Sequence, residues 1–141
     1  MKTIEFRIIE PKNILTIIPL LKMVNNYTPE EILKKRVLEM VGQNYKCVGM
    51  YDGKTLIGIS GLWFLTRHYC GKTVEPDHVI IDENYRNMGI GKKLFEWIYK
   101  YAKNNGIEAS ELNTFISNTK SHKFYENEGY KRLGYHYLKI L

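Results

Sequence analysis

The stretch from Val79 to Leu94, VIIDENYRNMGIGKKL, decides the fold prediction. It begins with three apolar residues, passes through a polar loop, and reaches Gly89 and Gly91 at the start of a helical pattern. Glycines let backbone amides come close to a ligand, and the first turn of a helix offers N–H groups that have no partner within the helix. The stretch therefore predicts a strand, an anion-binding loop and a helix, in that order.

Two common phosphate-binding loops do not fit these residues. A P-loop requires Ser or Thr after Gly-Lys, but here Lys93 follows Lys92. A dinucleotide-binding fingerprint requires a third glycine at the position of Leu94. Paired glycines at a helix start are also found where a helix is capped or closely packed, so the loop alone does not identify a ligand.

Hydrophobic periodicity and turn signals predict the remaining elements. Asp52-Gly53 is a hairpin turn signal between two strands, and Pro19 is predicted to kink the first helix. The predicted strands span 3–9, 45–51, 55–65, 72–81, 107–116 and 130–141, and the predicted helices span 13–25, 28–42, 91–106 and 117–128. This order indicates one mixed α/β domain over residues 1–141, with a sheet that is partly antiparallel.

Composition restricts the class of protein. The chain has 141 residues, of which 44% are hydrophobic and 26% charged, as is typical of one globular domain. The longest apolar stretch, Leu15 to Val24, is interrupted by Pro19 and Lys22, so no membrane-spanning helix is predicted. Two cysteines and an N-terminus without a signal-peptide pattern favour a cytoplasmic protein.

The net charge of +6 does not indicate nucleic-acid binding, because basic residues are spread over both halves of the chain among acidic ones. The densest basic run, Lys34–Arg36, lies in a helical pattern near Glu31 and Glu39, which is typical of a solvated helix face. A site for a small anionic ligand explains the excess at least as well. Cysteine and histidine spacing predicts no metal site.

Two groups of residues point to a known family. Arg86-Asn87-Met88-Gly89-Ile90-Gly91 matches the R/Q-x-x-G-x-G/A signature of the GNAT superfamily of acetyl-CoA-dependent N-acetyltransferases. Asn118, Phe124-Tyr125-Glu126 and Gly129-Tyr130 resemble that family's later N-x-x-A-x-x-F-Y-E-x-x-G-F pattern, with Ser121 in place of the alanine. The chain is therefore similar to this family through both motifs and through the order of its elements.

The resemblance implies a GNAT-like fold, in which a twisted, mostly antiparallel sheet of six or seven strands is flanked by four helices and splayed where CoA enters. It implies acetyl-CoA as cosubstrate, with Tyr125 protonating the departing thiolate. The implied cofactor-binding residues are Val79, Ile80, Ile81, Arg86, Asn87, Met88, Gly89, Ile90, Gly91, Lys92, Asn118 and Tyr125. From the residues alone, Tyr125 can instead be a core aromatic and Asn118 a residue that supports a helix start.

Acetyl transfer to an amine also requires a proton acceptor, because an ammonium group has no lone pair for attack. Alternate residues from Glu75 to Ile81 share one parity, so an unbroken strand directs Glu75 and Asp77 to one face. A bulge at Pro76 changes this direction and lets His78 turn inward. Glu75 is the first candidate for the base and Asp77 the second, with solvent-facing edge charges as the alternative.

The sequence therefore predicts an N-acetyltransferase that modifies a primary amine of a small, cationic molecule. Aromatic residues that could line an amine site, or equally a core or a dimer interface, are Trp63, Phe64, Tyr69, Tyr135 and Tyr137. Two alternatives stay open, a protein or peptide N-acetyltransferase and a CoA-binding sensor without turnover. No nucleic-acid or membrane partner is predicted, and the resemblance makes a homodimer through the late strands plausible.

Overall fold

A computed structural model describes residues 3–141 of the chain. The strands are β1 (Ile4–Ile8), β2 (Tyr45–Asp52), β3 (Thr55–Arg67), β4 (Gly71–Ile81) and β5 (Ala109–Ser110). The helices are α1 (Ile18–Val24), α2 (Glu30–Val41), α3 (Ile90–Asn104) and α4 (Thr119–Asn127), and short 3-10 segments span Pro11–Ile17 and Glu83–Tyr85. No helix in this part of the chain is long and apolar enough to cross a membrane.

The strands form one mixed sheet in the order β1-β2-β3-β4-β5. Each of the first four strands pairs antiparallel with its neighbour, and β5 adds to β4 in parallel. The predicted hairpin between β2 and β3 turns at Gly53, whose φ of +60° lies in the left-handed region that glycine tolerates best. The predicted class, a mixed α/β domain with a mostly antiparallel sheet, is confirmed.

Each face of the sheet buries its own hydrophobic cluster. On one face, α1 and α2 pack with residues such as Tyr45 and Ile80, which form the α1/α2 cluster. On the other face, α3 packs through Leu94, Phe95 and Ile98, which recur at helical spacing and form the α3 cluster with their strand neighbours. The sheet is therefore covered on both sides, and a ligand reaches its centre only at an edge or a gap.

The first predicted helix differs from the structure. The stretch 13–25 divides into a 3-10 segment, Pro11–Ile17, and the short helix α1. Pro19 lies in the first turn of α1 instead of kinking a longer helix. Its missing N–H would be unpaired at that position in any case, so proline is favourable there.

Two predicted strands also differ from the structure. Of the strand predicted over 107–116, only Ala109–Ser110 pairs, and the strand predicted over 130–141 is wrong for the single chain because residues 131–141 form no strand and are exposed. The sheet consequently has five strands in this part of the chain instead of six or seven. Alternating side chains give a segment strand propensity, but a strand also needs a neighbour with which to pair.

Candidate active site

The sheet opens where β4 and β5 separate. Their parallel pairing is limited to Thr73–Val74 opposite Ala109–Ser110, after which the amide of Glu111 donates to the carbonyl of Val74 at 3.1 Å. β4 continues to Ile81, and within residues 3–141 no strand pairs with that second half on this side. The predicted splay of the sheet is therefore present, and it exposes backbone donors and acceptors along β4.

A β-bulge interrupts β4 at the same place. His78 and Val79 together lie opposite one residue of β3, Ser60, and His78 has a φ of +37°, which is unusual for a residue with a side chain. The bulge changes the parity of the strand, so Val79 and Ile81 pack in the α3 cluster instead of sharing a face with Glu75. The single parity predicted for an unbroken strand therefore holds for Glu75 and Asp77 but not for Val79 and Ile81.

The ring of His78 turns inward at the bulge and is held at both nitrogens. Its Nε2 lies 2.6 Å from the hydroxyl oxygen of Tyr45, and its Nδ1 lies 3.4 Å from a carboxylate oxygen of Asp77. The ring occupies space that a side chain at Gly61 would fill, because a Cβ there would clash with the ring. The bulge thus depends on contacts from two other strands, and His78 is placed to support it.

Glu75 and Asp77 lie on one face but differ in environment. The Nε1 of Trp63 donates to Asp77 at 3.0 Å, and hydrogen bonding to His78 is the main cause that lowers the pKa of Asp77 to about 2. Burial, followed by the charge of Asp77, raises the pKa of Glu75, while the amide of Asn113, 3.3 Å away, opposes that rise. A general base works best with a pKa near the operating pH, so Glu75 is the better suited carboxylate.

A further carboxylate stands across the gap. Glu111 follows β5 and accepts hydrogen bonds from the hydroxyl of Tyr69 and from Nε of Arg67, the latter at 3.3 Å. Its charge contributes to the raised pKa of Glu75, which places the two carboxylates within electrostatic reach. With Asp77, the gap has more negative than positive charge nearby, which favours a cationic ligand.

The loop before α3 has a backbone geometry that fits an anion. Asn87 and Gly89 both lie in the left-handed region, with φ of +62° and +74°, and no side chain caps the N-terminus of α3. The loop is exposed, and a Cβ on Gly89 would meet nothing within 4 Å. The free first-turn amides and the positive end of the helix dipole suit a phosphate group, with Lys92 and Lys93 exposed beside it.

The rest of this loop is tied to the end of β4. The Nε of Arg86 donates to the carbonyl of Ile81 at 3.3 Å, and Ile90, the first residue of α3, is buried in the α3 cluster. Met88 is exposed, and Gly91 faces the ring of Phe124. The structure therefore brings the predicted loop residues together at the open half of β4.

The comparison with protein families agrees with this geometry. Residues 19–130 match the model described as the Acetyltransferase (GNAT) family. The chain belongs to the GNAT family of acetyltransferases. This membership confirms the resemblance drawn from the two motifs and supports the predicted acyltransferase class.

One curated relative and two solved structures are similar to this GNAT chain. It is 31% identical over 74 residues to the aminoalkylphosphonate N-acetyltransferase of Salmonella typhimurium, a match that covers 52% of this chain and 48% of that protein. The chain thus spans about half the length of that relative. An aminoglycoside N-acetyltransferase in complex with CoA has a TM-score of 0.84 at 14% identity, with 100% of this chain and 96% of that one covered. Ribosomal-protein-alanine N-acetyltransferase from Brucella melitensis has a TM-score of 0.81 at 16% identity, with 99% of each chain covered.

In this GNAT chain, Tyr125 combines a packed ring with an accessible hydroxyl. Its ring centroid lies 5.7 Å from that of Phe95 and 5.9 Å from that of Tyr130, inside the α3 cluster. Within residues 3–141 the hydroxyl has no hydrogen-bond partner, and it is not fully buried. Burial raises the pKa of Tyr125, which keeps the hydroxyl protonated at neutral pH. The packed ring agrees with the interpretation of Tyr125 as a core aromatic, while the hydroxyl is accessible to a ligand.

Asn118 has a structural role in the described chain. It is the N-cap of α4, and its Oδ1 accepts a hydrogen bond from the amide of Ser121 at 3.3 Å. This is the helix-start alternative left open by the sequence. A contact between Asn118 and the cofactor stays a prediction.

The predicted aromatic residues do not form one group. Trp63 and Tyr69 contact the carboxylates of the gap, whereas Phe64 packs in the α3 cluster on the other face. Tyr135 and Tyr137 are exposed in the C-terminal segment. Sequence reasoning also missed several residues of the site, because their roles arise from strand register and packing: Tyr45, Gly61, Arg67, Glu111 and Asn113.

Proposed function

We propose that this GNAT chain transfers an acetyl group from acetyl-CoA directly to a primary amine of a small cationic molecule. The observation that carries the proposal is the open half of β4, which joins an anion-binding loop at one end to a carboxylate of raised pKa, Glu75, at the other. Acetyl-CoA supplies the acetyl group as an activated thioester. The residues of the chain bind it, orient the amine and move protons.

The cofactor half of the proposal rests on backbone groups. The loop Asn87–Lys92 would hold the diphosphate, since its left-handed residues and helix N-terminus present N–H groups to one point. The unpaired edge Val79–Ile81 offers hydrogen-bonding groups to the amides of the pantetheine arm. Backbone donors along the open half of β4 would also stabilise negative charge that develops on the thioester oxygen during attack.

The acceptor half of the proposal assigns different roles to three side chains. Glu75 would take the proton from the ammonium group, so that the free amine attacks the acetyl carbon. Asp77, whose pKa is too low for a base, stays ionised and holds His78 at the bulge. Tyr125 would donate its hydroxyl hydrogen toward the departing sulfur from the other face of the sheet.

A small cationic amine suits the charges of the gap better than other acceptors do. Asp77 and Glu111 attract a positive group, and the ring of Trp63 beside Asp77 can contact a cation through its face. The names of two proteins similar to this chain, an aminoalkylphosphonate and an aminoglycoside acetyltransferase, also specify small amines. The ribosomal-protein-alanine acetyltransferase keeps a peptide acceptor as the competing outcome.

The proposal is tested with a panel of acceptors and acetyl-CoA, by following release of the free thiol. Diamines, polyamines, aminoglycosides and aminoalkylphosphonates are compared with peptides that have free N-termini. We expect kcat/KM to be at least about tenfold higher for the cationic small amines and to fall with added salt, since salt screens the attraction. Modification of peptides alone contradicts the small-molecule acceptor. Stabilisation by acetyl-CoA without any acceptor turnover favours the sensor.

Tyr125→Phe is expected to lower kcat by roughly 100-fold while leaving KM for acetyl-CoA nearly unchanged, because only the proton donor is lost. The packed ring is kept, and the removed hydroxyl has no partner in residues 3–141. Steady-state kinetics over a range of acetyl-CoA concentrations separates the two constants.

Tyr130→Phe is the matched control from the same aromatic cluster. Its hydroxyl lies 2.7 Å from that of Ser110, so its removal should lower the free energy of unfolding by about 1 kcal/mol. Turnover by this control should stay close to that of the unmodified protein. Equal turnover by the Tyr125→Phe protein and the unmodified protein would remove Tyr125 from the chemistry.

A further inference from the structure

The carboxylate of Glu75 is held at one oxygen by a residue that lies beyond the last strand. The Nδ2 of Asn113 donates to its Oε2 at 3.3 Å, whereas its other oxygen, Oε1, has no hydrogen-bond partner in the part of the chain that the structure describes. Asp77, two residues further along β4, differs in this respect. It accepts hydrogen bonds from the indole of Trp63 and from the backbone amide of His78. One oxygen of Glu75 is therefore held, and the other is open to a proton.

The segment that contains Asn113 directs alternate side chains to the two sides of the sheet. Ser110 and Leu112 face the α3 cluster, where Leu112 packs and the hydroxyl of Ser110 forms a hydrogen bond. Glu111 and Asn113 reach the opposite side, where their partners lie on β3 and β4. Because successive side chains of an extended chain point in opposite directions, the place of Asn113 in the segment directs it to Glu75.

Contacts on both sides of β5 hold this segment against the β3–β4 hairpin. The carboxylate of Glu111 accepts hydrogen bonds from Arg67 and Tyr69. On the other side of β5, the carboxylate of Glu108 accepts from the amide of Lys72 at 2.9 Å, and the amide of Glu108 donates to the carbonyl of Lys72 at 2.8 Å. The segment is thus fixed beside β4, although only two of its residues pair as a strand.

The groups around Glu75 act on its ionisation in opposite directions. Burial is the main cause that raises the pKa of Glu75, and the charges of Asp77 on β4 and Glu111 after β5 add to it. The hydrogen bond from Asn113 and the charge of Arg67 on β3 lower this pKa. An amide donor stabilises the ionised carboxylate but has no charge that would repel an ammonium group. Asn113 therefore suits a base that must be ionised before it meets a cation.

We propose that Asn113 is a positioning residue for Glu75, holding Oε2 so that Oε1 faces the ammonium group of the acceptor. In the step that it supports, an N–H bond of the ammonium group breaks, the proton forms an O–H bond at Oε1, and the electron pair stays on nitrogen. Oε2 can accept the hydrogen bond from Asn113 both before and after this transfer. The inference rests on the proposed function, in which Glu75 is the base.

The first test is the titration of the Glu75 carboxyl group, followed by NMR of the carboxyl carbons in the full chain without substrate. Its signal is the one that is missing from the Glu75→Gln protein. Asn113→Leu keeps a side chain of similar size but removes the donor, so the midpoint should move up by roughly 0.5 to 1 pH unit. Asn113→Asp also adds a like charge and should move the midpoint further. Because Asn113 is exposed, both variants should fold, which circular dichroism checks.

The second test is the pH profile of kcat/KM for the amine. In the Asn113→Leu protein, the rise of kcat/KM with pH should shift as far as the titration does, so that kcat/KM below the rise falls about 3- to 10-fold. The KM for acetyl-CoA should stay nearly unchanged. In the Glu75→Gln background, Asn113→Leu should change kcat/KM by less than about twofold, since the group that it positions is already lost. A residue that only supports the fold would lower kcat/KM equally in both backgrounds.

Asn104→Leu is the matched control, since Asn104 is an exposed asparagine at the end of α3. It should leave both the titration of Glu75 and the pH profile unchanged. A Glu75 titration that does not move in the Asn113→Leu protein overturns the inference, whatever the kinetics show. If the titration moves but the Glu75→Gln protein keeps the rise of kcat/KM with pH, the proposed base is wrong, and the catalytic role of Asn113 is wrong with it.

Discussion

Glu75→Gln is expected to lower kcat/KM for the amine by roughly 100- to 10,000-fold, the range that general-base catalysis contributes. The glutamine keeps the shape of the side chain and can still accept the hydrogen bond from Asn113. It cannot take a proton from the ammonium group. In the unmodified protein, kcat/KM should rise with pH through the raised pKa of Glu75, and this limb of the profile should disappear in the variant.

The same substitution is expected to stabilise the fold at neutral pH. Because burial raises the pKa of Glu75 in the folded chain, ionisation of this carboxylate costs folding free energy above its unfolded pKa. Glutamine removes that cost, so the Tm should increase at pH 7. The increase should vanish at a pH well below the unfolded pKa, where Glu75 is protonated in both states. Loss of activity together with gain of stability is the signature expected of a half-buried charge that is kept for function.

Glu96→Gln is the control for both measurements, since Glu96 is an exposed residue of α3. Its kinetics, pH profile and Tm should stay close to those of the unmodified protein. If the Glu75→Gln protein keeps full activity and the same rise of kcat/KM with pH, then a group other than Glu75 is the base. The ring of His78 would then be the next group to test.

Gly89→Glu is expected to abolish stabilisation by acetyl-CoA. A ligand at about 100 times its Kd adds about 2.7 kcal/mol, which raises the Tm of a domain of this size by on the order of 10 °C. The substitution places a negative side chain at the N-terminus of α3, where under the proposed function the first-turn amides would bind the phosphate groups. The measurement is the Tm with and without excess acetyl-CoA, with a free adenine nucleotide as the ligand control.

Gly53→Glu separates the loss of binding from backbone strain. Gly53 and Gly89 have similar left-handed φ values, +60° and +74°, and a Cβ meets nothing within 4 Å at either position. Both substitutions should therefore lower the free energy of unfolding of the ligand-free protein by similar amounts, about 1–2 kcal/mol. The Tm of the ligand-free protein should fall to a similar extent in both. Only Gly53→Glu, in the β2–β3 hairpin, should keep the full shift with acetyl-CoA. A full shift in the Gly89→Glu protein would mean that the loop does not hold the cofactor.

The late strands show why pairing could not be predicted along the chain. Alternating apolar residues predicted strands over 107–116 and 130–141, yet the single chain pairs only Ala109–Ser110. The alternation is a property of each segment, whereas pairing requires a neighbouring edge at the right place.

The sequence by itself determined the parts of the site that lie on consecutive residues. The loop from Asn87 to Lys92, the helix that follows it and the family signature depend on local chain geometry, in which glycine and the helix start define where an anion fits. The β2–β3 hairpin is local in the same way, since Gly53 alone supplies its left-handed residue.

Only the tertiary structure decided the position of the bulge in β4 and the environments of Glu75 and Asp77. The bulge at His78 depends on space left by Gly61 and on the hydroxyl of Tyr45, which are brought there by two other strands. The distinction between Glu75 and Asp77 follows from that bulge, because His78 stabilises the ionised form of Asp77 while burial destabilises that of Glu75. A pKa reflects every group packed around a carboxylate, and those groups are distant in the sequence.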